Sequence, residues 1–243
     1  MYPKHTLTAR DEAYSWLTVW MNNNDLVLWG VADLQGLGAP NDAKGRAYPL
    51  AVSLAVPMDP RVMSSVRDGP NQAYANEYAR VNKQITQLST QLAKAMQNRG
   101  AGAQALAASS RTDPVQIRGD FPHKTAATRS GLGWIGRNCQ LISRPFGPWV
   151  RLGTVFTHMD LPAGKPQEKS FCGRCMRCVE ACPAGALQGN TWSPQTPRQD
   201  LLDVLACDAW KKRHYAAFHN GHNCGICASV CPYGLKTLSK NQK

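Results

Sequence analysis

Eight of the nine cysteines in this chain fall into a single pattern. The first run reads Cys172-x2-Cys175-x2-Cys178-x3-Cys182-Pro183 and the second Cys224-x2-Cys227-x3-Cys231-Pro232, with Cys207 standing alone between them. A cysteine ladder that closes on Cys-Pro, met twice, is the ligand pattern of paired [4Fe–4S] clusters. Four thiolates hold each cluster, and the fourth cysteine of a run reaches across to the other one. That crossing assigns Cys172, Cys175, Cys178 and Cys231 to one cluster, and Cys182, Cys207, Cys224 and Cys227 to the second. A segment tied in this way is expected to fold as loops and short helices around metal, and to move electrons one at a time.

Other readings of these thiols fit less well. Disulfides belong to oxidising compartments. The opening residues carry Lys4, Arg10, Asp11 and Glu12 with no apolar stretch of the secretory kind and no twin arginine. Zinc usually takes its ligands in two spaced pairs, which leaves the ladders unexplained. Cys139, in the run Asn138-Cys139-Gln140-Leu141-Ile142, is expected to be a small packed residue beside an apolar segment.

With 243 residues, 43% of them apolar and 18% charged, the chain has room for one ordinary folded domain and a small second one. No apolar run approaches the ~20 residues of a membrane-spanning helix. A cytoplasmic location, where thiols and reduced clusters persist, is the expectation. The formal charge is +12, and two clusters at −2 each with their thiolates would bring it to about +8. That surplus is compatible with tRNA or another nucleic acid, with an acidic electron donor, or with a phosphate-bearing cofactor. The basic residues are dispersed, and only Lys211-Lys212-Arg213-His214 forms a tight group.

Residues 26–32 and 50–56 read as buried strands, being short apolar runs bounded by Asn, Gly and Pro. Between Asn71 and Arg99 the positions Tyr74, Tyr78, Val81, Ile85, Leu88, Leu92 and Ala95 repeat at helical spacing, with Gly100 as the stop. Such a stripe serves a core or the face of a homodimer. Further strands are expected over 101–110, 139–143 and 149–156, with a short helix over 123–129 and a linker over 162–169. These elements describe an α+β region over residues 1–165 and a cluster-binding region over 166–243.

The run Gly131-Leu132-Gly133-Trp134-Ile135-Gly136 matches the dinucleotide pattern G-x-G-x-x-G by letter. That fingerprint must follow a strand, open a helix and precede an acidic residue about 20 positions on. Here a helical segment precedes it and apolar residues follow, so the context rejects it. What remains is a backbone able to approach something closely, with Trp134 available to lie against a flat cofactor.

The stretch 130–138, the segment Val150-Arg151-Leu152-Gly153-Thr154-Val155, the early Trp29-Gly30-Val31-Ala32-Asp33 and the double cysteine ladder together resemble the epoxyqueuosine reductase family. The resemblance implies a cobalamin-binding domain of nitroreductase-like fold, followed by a two-cluster bacterial ferredoxin-like module. It also implies reduction of an epoxide on a tRNA base, a plan shared with reductive dehalogenases. Family members usually continue into a helical-repeat region, whereas this chain stops soon after Cys231. Their proton-donating aspartate sits in Asp-x-x-Pro, whereas this chain reads Asp120-Phe121-Pro122-His123-Lys124-Thr125. The chain thus resembles a short, divergent branch.

On this footing Asp120 and His123 are the candidate proton donors, with Lys124 as electrostatic partner. Gly131, Gly133, Trp134 and Gly136 are candidate cofactor contacts, and Arg137 and Arg151 could meet phosphate or propionamide groups. No Asp-x-His-x-x-Gly run offers a histidine to cobalt. Three functions remain open: a corrinoid-dependent reductase of an epoxide or similar electrophile; an electron-transfer protein that reduces a partner's corrinoid or flavin; and a flavin-dependent iron–sulfur reductase. A low-potential donor such as ferredoxin or flavodoxin would supply the electrons.

Overall fold

A computed structural model describes residues 8–107, 112–218 and 221–240. Helix α1 (Ala9–Asn23) starts at Thr8, whose hydroxyl accepts from the Asp11 amide while the Asp11 carboxylate accepts from the Thr8 amide. Strands β1 (Leu28–Asp33) and β2 (Leu50–Pro57) follow, then helices α2 (Pro60–Ser64) and α3 (Gln72–Asn98). Asn71 caps α3 by accepting from the Tyr74 amide. Strand β3 (Ala103–Leu106) is shorter than the span expected over 101–110, whose last three residues lie outside the described ones. Helix α4 (His123–Arg129), strands β4 (Gly133–Ile135) and β5 (Leu141–Ser143), and strand β6 (Val150–Thr157) complete the α+β region.

The main sheet has the order β1-β2-β6-β3, every pair antiparallel. Val52 faces Val31 on one side and Val155 on the other. Successive side chains of a strand point to opposite faces, and on β2 that alternation is one of size. Val52, Leu54 and Val56 enter the core beneath α3, while Ala51, Ser53 and Ala55 are buried on the opposite face, where Ala126 and Ala127 of α4 pack. Small residues on that face let α4 sit close to the sheet. The stripe Val81, Ile85, Leu88 and Leu92 of α3 is buried in the same core as Val155. Of the two uses expected of that stripe, a core or the face of a homodimer, these four residues serve the core.

Beyond β6 the chain is not a free linker. Gly164 donates its amide to the Val31 carbonyl and Gln167 to that of Thr128. Short elements then follow: α5 (Arg177–Glu180), a 3-10 turn (Arg198–Asp200), α6 (Val204–His214), α7 (Ile226–Ser229) and α8 (Pro232–Lys240). Ala228 is buried in the main core, Leu235 and Leu238 pack against it, and the buried Trp149 indole donates to the Ala228 carbonyl at 2.9 Å. Among the described residues no helix is long and apolar enough to cross a membrane.

Candidate electron-transfer and cofactor site

Cys172, Cys175, Cys178 and Cys231, the first quartet, neighbour one another, as do Cys182, Cys207, Cys224 and Cys227, the second. Among the described residues no three such groups close on a point where a single ion would sit. Cys178 is pushed up to about 12, by burial first and then by Cys172, Cys231 and Cys175. Burial likewise raises Cys231, with Cys172 and Cys175 adding to it. In the second group burial raises Cys207 and Cys224, and Cys182 acts on both. Cys227 is held well above its ordinary value by burial and by Cys224, Cys207, Cys178 and Cys182. Cys178 of the first group acts on Cys227 of the second, so the two groups are neighbours. Thiols crowded in this way oppose deprotonation unless a cation joins them, and ligation by iron meets that need.

The β4–β5 hairpin is the hinge between this region and the sheet. Its turn is closed by Cys139 N–H donating to Gly136 O and Gly136 N–H to Gln140 O, with Cys139 in the left-handed region at φ 55°. The Asn138 side chain donates to the Cys227 carbonyl at 3.3 Å. Arg137 donates to the carbonyls of Gly189 and Gly173, which fixes the loop between Cys172 and Cys175.

The glycine motif is explained by packing. A Cβ on Gly133 would run into the Ile142 carbonyl across the hairpin, and one on Gly131 (φ 81°) would come within 2.7 Å of the Lys165 carbonyl. A Cβ on Gly136 would press on the Ile142 side chain at 2.8 Å. The close approach expected of this backbone is thus to its own chain. Trp134 is 0% exposed and packs with Ile142, Cys231, Cys172 and Tyr233. That corrects the expectation of an indole face open to a flat cofactor, because β4 turns the ring toward the first quartet. Arg151 is likewise elsewhere: it donates to Asn82 Oδ1 and lies over the Tyr78 ring, against α3 on the far side of the sheet from α4.

A cavity of about 950 Å³ opens on the α4 side, at the upper end of small-ligand sites. Leu37, Ile117, Ile135, Trp192 and Leu201 supply apolar wall; Asp120, Lys124 and Cys139 supply polar groups. The Lys124 ammonium donates to the Cys139 carbonyl at 2.5 Å and stands 3.6 Å from its sulfur. Asp120 is exposed at the rim. His123 does not line the cavity. Its Nδ1 lies 2.8 Å from the Thr154 hydroxyl and its Nε2 3.4 Å from the Ala107 carbonyl, and burial lowers it to about 4. It is a neutral imidazole that fastens α4 to β6. None of Gly131, Gly133, Trp134, Gly136, Arg137 or Arg151 lines the cavity.

Three contributors were not foreseen. Cys139 is 4% exposed, yet it forms part of the cavity wall and acts on Cys207 of the second quartet. Asn138 anchors the same turn to Cys227. Arg198 reaches from the cluster region to the carbonyls of Gln116 and Ile117, strapping the loop that bears Asp120 over the cavity.

Fold and thiols together define a double-cluster iron–sulfur protein with a cofactor-sized cavity beside its second quartet. Residues 171–234 match the 4Fe-4S double cluster binding domain. The epoxyqueuosine reductase of Gloeobacter violaceus is 31% identical over 181 residues, covering 69% of this chain and 51% of that protein. The epoxyqueuosine reductase of a Synechocystis species is 45% identical over 127 residues, covering 49% and 41% respectively. A catabolic reductive dehalogenase solved with 3-bromo-4-hydroxybenzoic acid shares the fold at TM-score 0.65 and 17% identity, over 86% of this chain and 30% of its own. An epoxyqueuosine reductase solved with an epoxyqueuosine-modified tRNA stem loop does so at TM-score 0.57 and 16% identity, over 91% and 66%. The chain is similar to epoxyqueuosine reductases, and it spans about half the length, or less, of the curated relatives it matches.

Proposed function

We propose that this chain is an iron–sulfur oxidoreductase. The two quartets would hold clusters that carry single electrons, and the cavity would hold a corrinoid supplying the chemistry to reduce an epoxide-like or other electrophilic substrate. The sheet-bearing region is read as the cofactor-binding domain, of nitroreductase-like kind. The observation that carries this reading is the turn at Asn138 and Cys139, one residue bonded to a second-quartet ligand and the next lining the cavity. The mixed apolar and polar lining of the cavity suits such a group, and Thr125, Thr128, Arg129 and Ile135 are the residues that would hold it.

Bound there, a corrinoid supplies a strongly reducing cobalt centre able to break a carbon–heteroatom bond. The chain's own residues supply position and protons. Reduction of an epoxide to an alkene consumes two electrons and two protons and releases the oxygen as water. Lys124, aimed at the cavity wall by the Cys139 carbonyl, and Asp120 at the rim are the groups placed to deliver those protons. Neutral His123 holds the helix that carries Lys124.

The first quartet faces outward through the exposed residues Phe171, Gly173, Arg174 and Arg177, and a low-potential carrier such as ferredoxin or flavodoxin is proposed to dock there. Since one fold relative is solved with a modified tRNA stem loop, tRNA is the proposed bearer of the substrate.

Anaerobic purification followed by cobalamin addition tests the reading. Stoichiometric cobalamin retained through gel filtration, with its visible spectrum perturbed, is the expected result. Flavin released on denaturation, or no retained cofactor, would overturn it in favour of a flavin reductase or an electron-transfer protein respectively.

A further inference from the structure

Two tryptophans are almost wholly buried, and they differ in one respect. The Trp149 indole N–H donates to the Ala228 carbonyl, whereas the Trp134 indole N–H has no hydrogen-bond partner among the described residues. An unsatisfied buried donor is costly, and the large majority of buried side-chain donors are paired. The surroundings of Trp134 are apolar or already engaged. Phe171 and Tyr233 meet its ring edge-on at 5.2 and 4.9 Å, Ile142 packs on it, and the Tyr233 hydroxyl donates to the Phe171 carbonyl. Of its other neighbours, the Arg144 guanidinium, 6.0 Å from the ring centre, carries only donors and Trp192 brings another indole N–H, which leaves Cys172 and Cys231, both of the first quartet. Neither thiol takes the indole hydrogen, but a bound cluster brings inorganic sulfides and negative charge into the space those two cysteines share.

We infer that the Trp134 Nε1–H donates to a sulfur of the cluster held by Cys172, Cys175, Cys178 and Cys231, and raises its reduction potential. Uptake of one electron takes the [4Fe–4S] core from 2+ to 1+ with no bond made or broken. The added negative charge strengthens a hydrogen bond to the cluster, so the donor favours the reduced state. The inference rests on the clusters alone and stands or falls apart from the corrinoid reading.

The test is an anaerobic redox titration followed by electron paramagnetic resonance on the cluster-loaded protein, comparing wild type with Trp134→Phe, which keeps an aromatic ring and removes the donor. The first cluster's midpoint should move to more negative potential, changing its oxidised-to-reduced ratio at fixed potential about tenfold, the equivalent of about 1.4 kcal/mol for a hydrogen bond to a charged acceptor. The second cluster's midpoint should stay in place. Ile142→Val disturbs the same packing without touching a donor and should leave both midpoints alone. An unmoved first midpoint in Trp134→Phe, or an equal shift in Ile142→Val, overturns the inference. If Trp134→Phe lowers the iron content, protein labelled with indole-15N tryptophan in a Trp192→Phe background is examined by pulsed resonance. Nitrogen coupling to the reduced first cluster is then expected, and its absence overturns the inference equally.

Discussion

Asn138 hands its side-chain amide to the backbone carbonyl of Cys227 across 3.3 Å, which makes the tip of the β4–β5 hairpin a structural partner of the second quartet. Its own Oδ1 accepts from the Gln140 amide at 3.1 Å, so one buried side chain both shapes the turn and docks it. Cys139, the next residue, forms cavity wall. The path from thiolates to cavity therefore crosses one short turn.

Asn138→Ala should loosen that junction selectively. Removing a buried side chain with partners on both sides is expected to destabilise the fold by about 1–3 kcal/mol. In the reduced protein the second cluster's resonance signal should broaden or weaken while the first persists. Equal loss from both clusters would show that the contact does not serve the second quartet in particular.

Cys207 is the one predicted ligand outside the cysteine ladders; Cys182 acts on it, and both act on Cys224. Cys207→Ala should lose about half of the iron, one of two cubanes, and leave the other cluster detectable after reduction. Full iron content in that variant would remove Cys207 from the ligand set.

His123 provides a pH signature. The folded protein holds it neutral down to about 4, whereas an unfolded chain protonates histidine near 6.5. The unfolded state thus binds more protons between those values. Stability is full above the unfolded pKa, falls progressively as pH drops from about 6.5 toward about 4, and loses no more to this group below that. The contribution is at most about 3 kcal/mol, with about 2 kcal/mol of it lost by about pH 5. Urea unfolding of wild type and His123→Gln checks this, since the variant should show a flatter pH dependence in that window.

The same residue marks a boundary in what the sequence discloses. Its helix was legible from composition and from the flanking Pro122 and Gly131, but seven residues of short helix do not say which side faces a cavity. That depended on Thr154, 31 residues away. Patterns that repeat locally were readable: the α3 stripe, the apolar runs of β1 and β2, and the cysteine spacing. Helix α1 was not, because only Leu17 and Met21 are buried on it while Tyr14 and Val19 stay exposed. The roles of Trp134 and Arg151 were equally hidden. Each belongs to a face decided by strand pairing, and a one-residue change of phase on a strand reverses the side it serves.

Lys124 and Asp120 reach the cavity and His123 does not, so their substitutions should separate. Lys124→Met and Asp120→Asn are expected to lower turnover by about 10²–10⁴-fold each if each delivers a proton in the transition state. His123→Gln should cost far less at neutral pH, where its effect is on stability. Measuring iron content beside turnover excludes cluster loss as the cause. A His123→Gln defect as large as that of Lys124→Met would place the proton donor on the wrong face of α4.

Electron entry offers the last expectation. Around the first quartet, the Arg144 guanidinium lies 4.8 Å from the ring centre of Phe171, itself 43% exposed, and the Lys236 ammonium lies 5.2 Å from that of Tyr233. Like charges gathered at a docking face steer an oppositely charged partner, and added salt screens that steering over about a Debye length. Arg144→Glu with Lys236→Glu should therefore slow reduction by an acidic ferredoxin about tenfold or more at low salt. The difference should shrink as salt rises. Reduced methyl viologen, a small cation, should reduce the variant no more slowly than wild type. Lys83→Glu with Lys94→Glu, exposed on α3, changes net charge equally but away from this rim, and should leave the ferredoxin rate nearly unchanged. Equal slowing by both pairs would mean that overall charge, and not this face, governs the encounter.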